Sequence, residues 1–226
     1  ARDGEDSESM RALEELCRTY WNPLFAFVRS QGFDPETARD LTQAYFTELL
    51  EKDLLKIVEP TAGRFRSFLL TSLKHFLSHE RDRERALKRG GGTQTISLDA
   101  QPAGPEIGAA ADDQLTPEQI FERQWALTVL ERALERLRRA SNGSESEAQF
   151  DRLKGYLTGD ASRMPYSEVA VELGMNEGAV RTAVHRLRKR FGKMLRAEIA
   201  DTVADPDEAD DEIRHLLSVI QPWKKA

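Results

Sequence analysis

Residues 166–191, YSEVAVELGMNEGAVRTAVHRLRKRF, decide the fold. A short amphipathic segment from Tyr166 to Leu173 meets a tight break at Gly174, Met175 and Asn176, and a longer apolar-periodic segment follows from Glu177 to Phe191. That is the pattern of a helix-turn-helix. Val169, Ala170 and Leu173 make one apolar stripe, and Val180, Val184, Leu187 and Phe191 make a second at helical spacing. Ala170 is small where two helices must cross closely, and Gly174 supplies the left-handed residue of the turn. Asn176 offers an acceptor to the orphan amides that open the second helix. With the stripe turned inward, Arg181, Thr182, His185, Arg186, Arg188 and Lys189 are left towards solvent, and no acid falls between Arg181 and Arg190. A helical hairpin with a solvated basic face is the plainer alternative; the break, the small crossing residue and the one-signed helix together favour DNA binding.

A chain of 226 residues has room for one large domain or two small ones, and its high charge and low aromatic content favour small helical units. The net charge of −6 argues against a nucleic-acid partner only if the charge is evenly spread. It is not. Residues 64–89 hold eight Lys or Arg against three acids, residues 181–196 hold seven basic residues and no acid, and residues 201–212 hold seven acids and no base. Cys17 is the only cysteine, which excludes an intrachain disulfide and a thiolate-built metal site; its neighbours Leu13, Leu16 and Tyr20 place it in the core. No cofactor or metal is expected. No apolar run has the length of a membrane span, and the acidic stretch Asp3 to Glu8 is unlike a secretory signal, so a cytoplasmic protein is expected.

Outward from residues 166–191, the chain divides into all-α units. Residues 1–9 are polar and expected to be disordered. Leu13, Leu16, Tyr20, Leu24, Phe27 and Val28 recur at helical spacing, with Pro23 expected to kink or break the segment. Asp34, Pro35 and Glu36 read as an N-cap, a first-turn proline and a charge suited to the helix dipole, opening a helix to about Lys52. Residues 53–63 suggest a short helix and a turn, and Phe65 onward should be one long helix, apolar first and basic last. Gly90-Gly91-Gly92 opens a linker over residues 91–115 whose composition cannot offset its chain entropy. A phosphate-binding glycine loop is disfavoured there, because no strand precedes it and the spacing fits no fingerprint.

Thr116, Pro117 and Gln119 open the next unit with a capping box and a first-turn proline, and Phe121, Trp125, Leu127, Leu130, Leu134 and Leu137 follow along one helix. A turn at residues 141–144 leads to a helix with Phe150, Leu153, Tyr156 and Leu157. Residues 201–226 begin acidic and end in a short amphipathic helix with Ile213, Leu216, Leu217, Ile220 and Trp223; it either folds back on the second unit or docks a partner. The expected architecture is two small helical domains, residues 10–90 and 116–200, joined by the linker.

Three motifs in this order, DLTQAYF at 40–46, FRSFLLTSLKHFLSHERDRERA at 65–86 and YSEVAVELGMNEGAVRTAVHRLRKR at 166–190, make the chain resemble the extracytoplasmic-function sigma factors of bacteria over residues 10–90 and 116–198. The resemblance implies a non-catalytic promoter-specificity subunit of RNA polymerase. It implies that the first domain docks on the largest-subunit coiled coil through Asp40, Gln43, Thr47 and Glu48 and reads the minus-ten element. Phe68, Lys74, His75, His79, Arg81, Arg83 and Arg85 fall on the segment that corresponds to the melting surface, where a stacking wedge and a positive groove are needed. Many members carry tryptophan at the place of Phe68, which leaves that ring either wedge or core. The second domain is implied to contact the polymerase flap and read the minus-thirty-five element, with Arg181, Thr182, His185 and Arg186 towards bases and Arg188, Lys189 and Arg190 towards phosphates. The tether is implied to pass near the active site and the RNA exit path.

Ala44 stands where many relatives carry a Glu in the docking motif. Phosphorylation of Thr42 or Thr47 by a Ser/Thr kinase would restore about −1.5 to −2 charges there; an anti-sigma partner and the acidic extension are the other regulators to consider. The free protein is expected to be a monomer. Two rivals are weaker. A nuclease would need a carboxylate or His cluster that the spacing does not show, and a free-standing helix-turn-helix regulator leaves residues 10–90 without a task.

Overall fold

The structure, a computed structural model, describes residues 2–51, 65–89, 115–141, 144–158, 164–200, 202–203 and 208–220. The short helix expected at 53–63 and most of the linker at 91–115 lie outside the described residues, which contain nine α-helices and no strand. These are α1 (Arg2–Ser30), α2 (Pro35–Glu51), α3 (Phe65–Arg89), α4 (Pro117–Arg139), α5 (Ser144–Leu153), α6 (Gly155–Thr158), α7 (Tyr166–Glu172), α8 (Glu177–Ala200) and α9 (Ala209–Ile220).

Two details of α1 differ from the sequence reading. The helix begins at Arg2, within residues 1–9, whose acidic composition suits the positive end of a helix. It also runs through Pro23 without a break. Leu24, Phe27 and Val28, all fully or almost fully buried, anchor the turn beyond the proline, so packing offsets the lost amide. The helix ends at Ser30, and the turn beyond it holds Gly32, whose φ of 92° is the left-handed geometry that glycine adopts freely.

The helix starts are governed by local chemistry. Asp34 accepts the amides of Glu36 and Thr37 at 3.0 Å through Oδ1 and the Thr37 hydroxyl through Oδ2, which holds its carboxyl below the usual range and opens α2. Thr116 and Gln119 form a reciprocal capping box at the start of α4. Between α7 and α8, Gly174 sits at φ 61°, and Asn176 Oδ1 accepts the Ala179 amide at 2.7 Å.

Two hydrophobic clusters result. One is confined to the C-terminal half: Leu137, Phe150, Leu153, Tyr156, Val169, Ala170, Val180, Val184 and Leu187. The other crosses the whole described chain. Tyr20, Leu24, Phe27, Tyr45, Leu49, Leu69 and Leu73 from α1 to α3 are continuous with Phe121, Trp125, Val129 and Ala133 of α4, Leu195 and Ile199 of α8, and Leu216 of α9. Helices from both expected domains therefore share one core. Tyr45 is buried in it, its hydroxyl donating to the Leu69 carbonyl at 3.0 Å, and burial pushes its pKa up to about 12.

Ion pairs stitch the same junction. Glu198 of α8, nine-tenths buried, accepts Arg132 Nε at 2.8 Å and Arg136 Nη1 at 3.0 Å from α4, and Arg132 also reaches Glu15 of α1. Lys74 of α3 meets Glu118 of α4 at 2.7 Å. Hydrogen bonds from these cations hold the carboxyls of Glu15 and Glu118 below their usual range. A lowered carboxyl pKa contributes stability that is fully present above the unfolded value and is lost as pH falls through the folded one. The contact between the two halves is expected to weaken as pH falls below about 4.5. Acid titration followed by tryptophan fluorescence checks this: Glu15→Gln should shift the onset, and an unchanged curve in a Glu15→Gln, Glu118→Gln double variant counts against it.

Candidate nucleic-acid interface

The outer face of α8 is set by its inner one. Val180, Val184 and Leu187 are buried, so the helical repeat turns Arg181, Thr182, His185, Arg186, Arg188, Lys189 and Arg190 outward, and all seven are exposed. They are not equivalent. Arg181 is paired with Glu177 Oε1 at 2.6 Å and lies 5.1 Å from the centre of the Tyr166 ring, which itself stacks on Tyr156 at 4.8 Å. The stack presents this guanidinium beside the turn. Thr182 donates its hydroxyl to the Gly178 carbonyl at 2.9 Å. Arg188 and Arg190 reach back to main-chain carbonyls, of Tyr156 at 3.1 Å and of Ala140 at 3.0 Å. Tyr166 and Glu177 were missed in the sequence; the four-residue spacing of Glu177 and Arg181 was the available signal.

The residues assigned to α3 fall into two groups. Lys74, His75, His79, Arg83 and Arg85 are exposed, whereas Phe68 and Arg81 are half-buried. Phe68 packs against the shared core and tilts on Phe65 at 6.2 Å, a core position rather than a free wedge in this conformation. Lys74 is held by Glu118. Arg81 lies 5.5 Å from the centre of the Phe33 ring and donates to Gln31 at 3.3 Å, and Arg83 pairs with Glu80 at 2.8 Å.

On α2, Asp40, Gln43, Ala44 and Thr47 are exposed and Glu48 is half-buried, so one outer face gathers the residues assigned to docking. Thr42 is different. It is fully buried and donates its hydroxyl to the Ala38 carbonyl at 2.7 Å, which corrects its assignment as a candidate phosphorylation site. A kinase cannot reach that oxygen without opening the core, and the four-residue back-bond is what lets a threonine lie buried in a helix. Thr47, bonded to the Gln43 carbonyl at 3.0 Å, remains accessible.

The acidic extension does not cover the basic face of α8 as far as it is described. Asp210 pairs with Arg196, Asp211 with Arg214 of its own helix, and Glu212 turns into the core. A cavity of about 770 Å³ lies at the junction of the two halves, lined by Glu15, Tyr20, Arg132, Arg136, Glu198 and Thr202 among others. Its charges are matched, and nothing there sets up nucleophilic or acid–base chemistry. Among the described residues, no helix is long and apolar enough to cross a membrane.

The family model described as ECF sigma factor matches residues 11–197. No curated protein and no solved structure matches the chain.

Proposed function

The chain belongs to the ECF sigma factors, non-catalytic initiation factors that bind RNA polymerase core and promoter DNA, and from that premise we propose how its residues divide the work. The reading has two DNA-binding domains, residues 10–90 and 116–200, on a linker over 91–115. The turn and helix from Tyr166 to Arg190 act as a helix-turn-helix at the minus-thirty-five element. The single observation that carries it is the outer face of α8 from Arg181 to Arg190, which holds five Lys or Arg and no acid opposite the buried Val180, Val184 and Leu187. Arg181, Thr182, His185 and Arg186 read bases; Lys189, with Arg188 and Arg190, holds phosphates. The exposed side of α3, His75 to Arg85, tracks the minus-ten strand, and the outer face of α2 docks on the polymerase coiled coil, with the tether passing the active site.

Transcription with purified core polymerase on a pool of randomised promoters tests the division. Arg181→Ala is expected to relax preference at particular minus-thirty-five bases, by about 1–3 kcal/mol each. Lys189→Ala should weaken all sequences alike and lower the salt slope by about one. Equal loss on every template from Arg181→Ala contradicts the assignment.

Docking carries a regulatory corollary. Ala44 leaves α2 one acid short of the family pattern, and phosphorylation of Thr47 would supply about −1.5 to −2 charges on the same face. Core-polymerase affinity of protein from the native cell should fall in Thr47→Ala and survive in Thr47→Glu. Unchanged affinity in Thr47→Ala removes the kinase from the account.

A further inference from the structure

Arg66 opens α3 yet is only 4% exposed. Its Nε donates to both Glu122 oxygens of α4, at 2.9 and 3.1 Å, its Nη1 reaches Glu212 of α9, and its guanidinium lies 4.6 Å from the centre of the Trp125 ring. Glu212 is 2% exposed. His215, one turn further along α9, meets Glu122 at 3.0 Å, and Leu216, the next residue, is fully buried in the shared core. A helix from the acidic extension thus reaches across α4, which belongs to the second half, and binds a cation of the first half.

Buried ion pairs of this kind hold two arrangements apart, because breaking one strands a charge away from water. The closed arrangement conflicts with use on a promoter. α3 and α4 flank the linker, and here they are in contact through Arg66–Glu122 and Lys74–Glu118. If the linker threads the polymerase, as proposed above, those helices must stand apart with the enzyme between them. The same contact holds Lys74, assigned to the minus-ten strand, on a carboxylate.

We propose that α9 is an intramolecular clasp: by inserting Glu212 against Arg66 it locks the packing of α1 and α3 on α4 that joins the two halves, and this autoinhibited form must open before promoter binding. The proposal rests on the sigma-factor reading for its consequence, while the clasp itself can be measured on the free protein. The docking face of α2 stays exposed in the closed form, so the polymerase meets the protein first and opening follows.

The test uses the full chain with Cys17→Ser and labels at Ser78→Cys on α3 and Lys193→Cys on α8, both exposed positions, and reads the distance between them. The free protein should show one narrow distribution, and core polymerase with promoter DNA should move it to longer distances. Glu212→Ala should populate the longer distances without any partner and raise promoter affinity of the reconstituted holoenzyme roughly tenfold, because the competent fraction limits apparent affinity. Leu216→Ala provides a second opening variant, with helical content checked in each. A reducible cross-link between Glu15→Cys and Arg132→Cys should lower promoter binding at least as much, and reduction should restore it. Unaltered distances in both opening variants, or a cross-linked protein that binds promoters as well as its reduced form, overturn the clasp. A protein that opens when Glu212 is lost yet never joins core polymerase supports the clasp and overturns the sigma-factor reading instead.

Discussion

Arg66→Ala is expected to lower the stability of the protein by about 3–5 kcal/mol, the usual consequence of removing one member of a buried ion pair. The magnitude follows from what remains. Glu212, 2% exposed, and Glu122 beside it would both lose the guanidinium they share, and the Trp125 ring would lose the cation above it. Urea unfolding measures the loss as a shift of the midpoint. If the halves separate before they unfold, the single transition should split into two. Replacing both charges, Arg66→Met with Glu212→Leu, should recover most of the loss, since apolar groups of similar size carry no desolvation penalty. A loss under about 1 kcal/mol for Arg66→Ala, the range of a surface pair, would place the residue in water.

Trp125→Ala should cost about 3–5 kcal/mol by itself. Trp125 is 1% exposed and sits where α4 meets helices of both halves, so no neighbour is free to collapse into the space. Trp125→Phe keeps a ring beneath Arg66 and should cost much less. The two sites touch, so the Arg66→Ala, Trp125→Ala double variant should lose less than the sum of the singles. Strict additivity would mean that ring and guanidinium act independently.

Much of this was legible in the chain. Asp34 and Thr116 cap the helices they announce, Gly174 takes the left-handed conformation its place in the break requires, and the apolar positions of 150–156 and 169–187 form a core, as do Phe121, Trp125 and Leu137 of α4; Leu127 instead faces solvent, and Ala126, Val129 and Ala133 fill the core on that helix. Such features are local, set by neighbours within four residues, and periodicity exposes them. What the chain conceals is long-range. Arg66 and Glu212 are separated by 146 residues, and Arg132 and Glu198 by 66. A charge in sequence reads as a solvated surface group, and only folding reveals that its partner is buried opposite. Thr42 misled for the opposite reason: its hydroxyl is satisfied by its own helix, so a polar residue read as accessible lies in the core. On α8, which residues face outward was readable, but not that two of its arginines hold carbonyls elsewhere.

Those two arginines alter how the duplex would be gripped. Arg188 and Arg190 already tie down the last carbonyls of neighbouring helical segments, at Tyr156 and Ala140. A phosphate that recruits either must loosen a helix exit, so tightening onto DNA slackens the scaffold just behind it. Amide exchange past Ala140 should then quicken on binding while the reading helix grows quieter, and fewer ions should be shed than a tally of basic residues suggests.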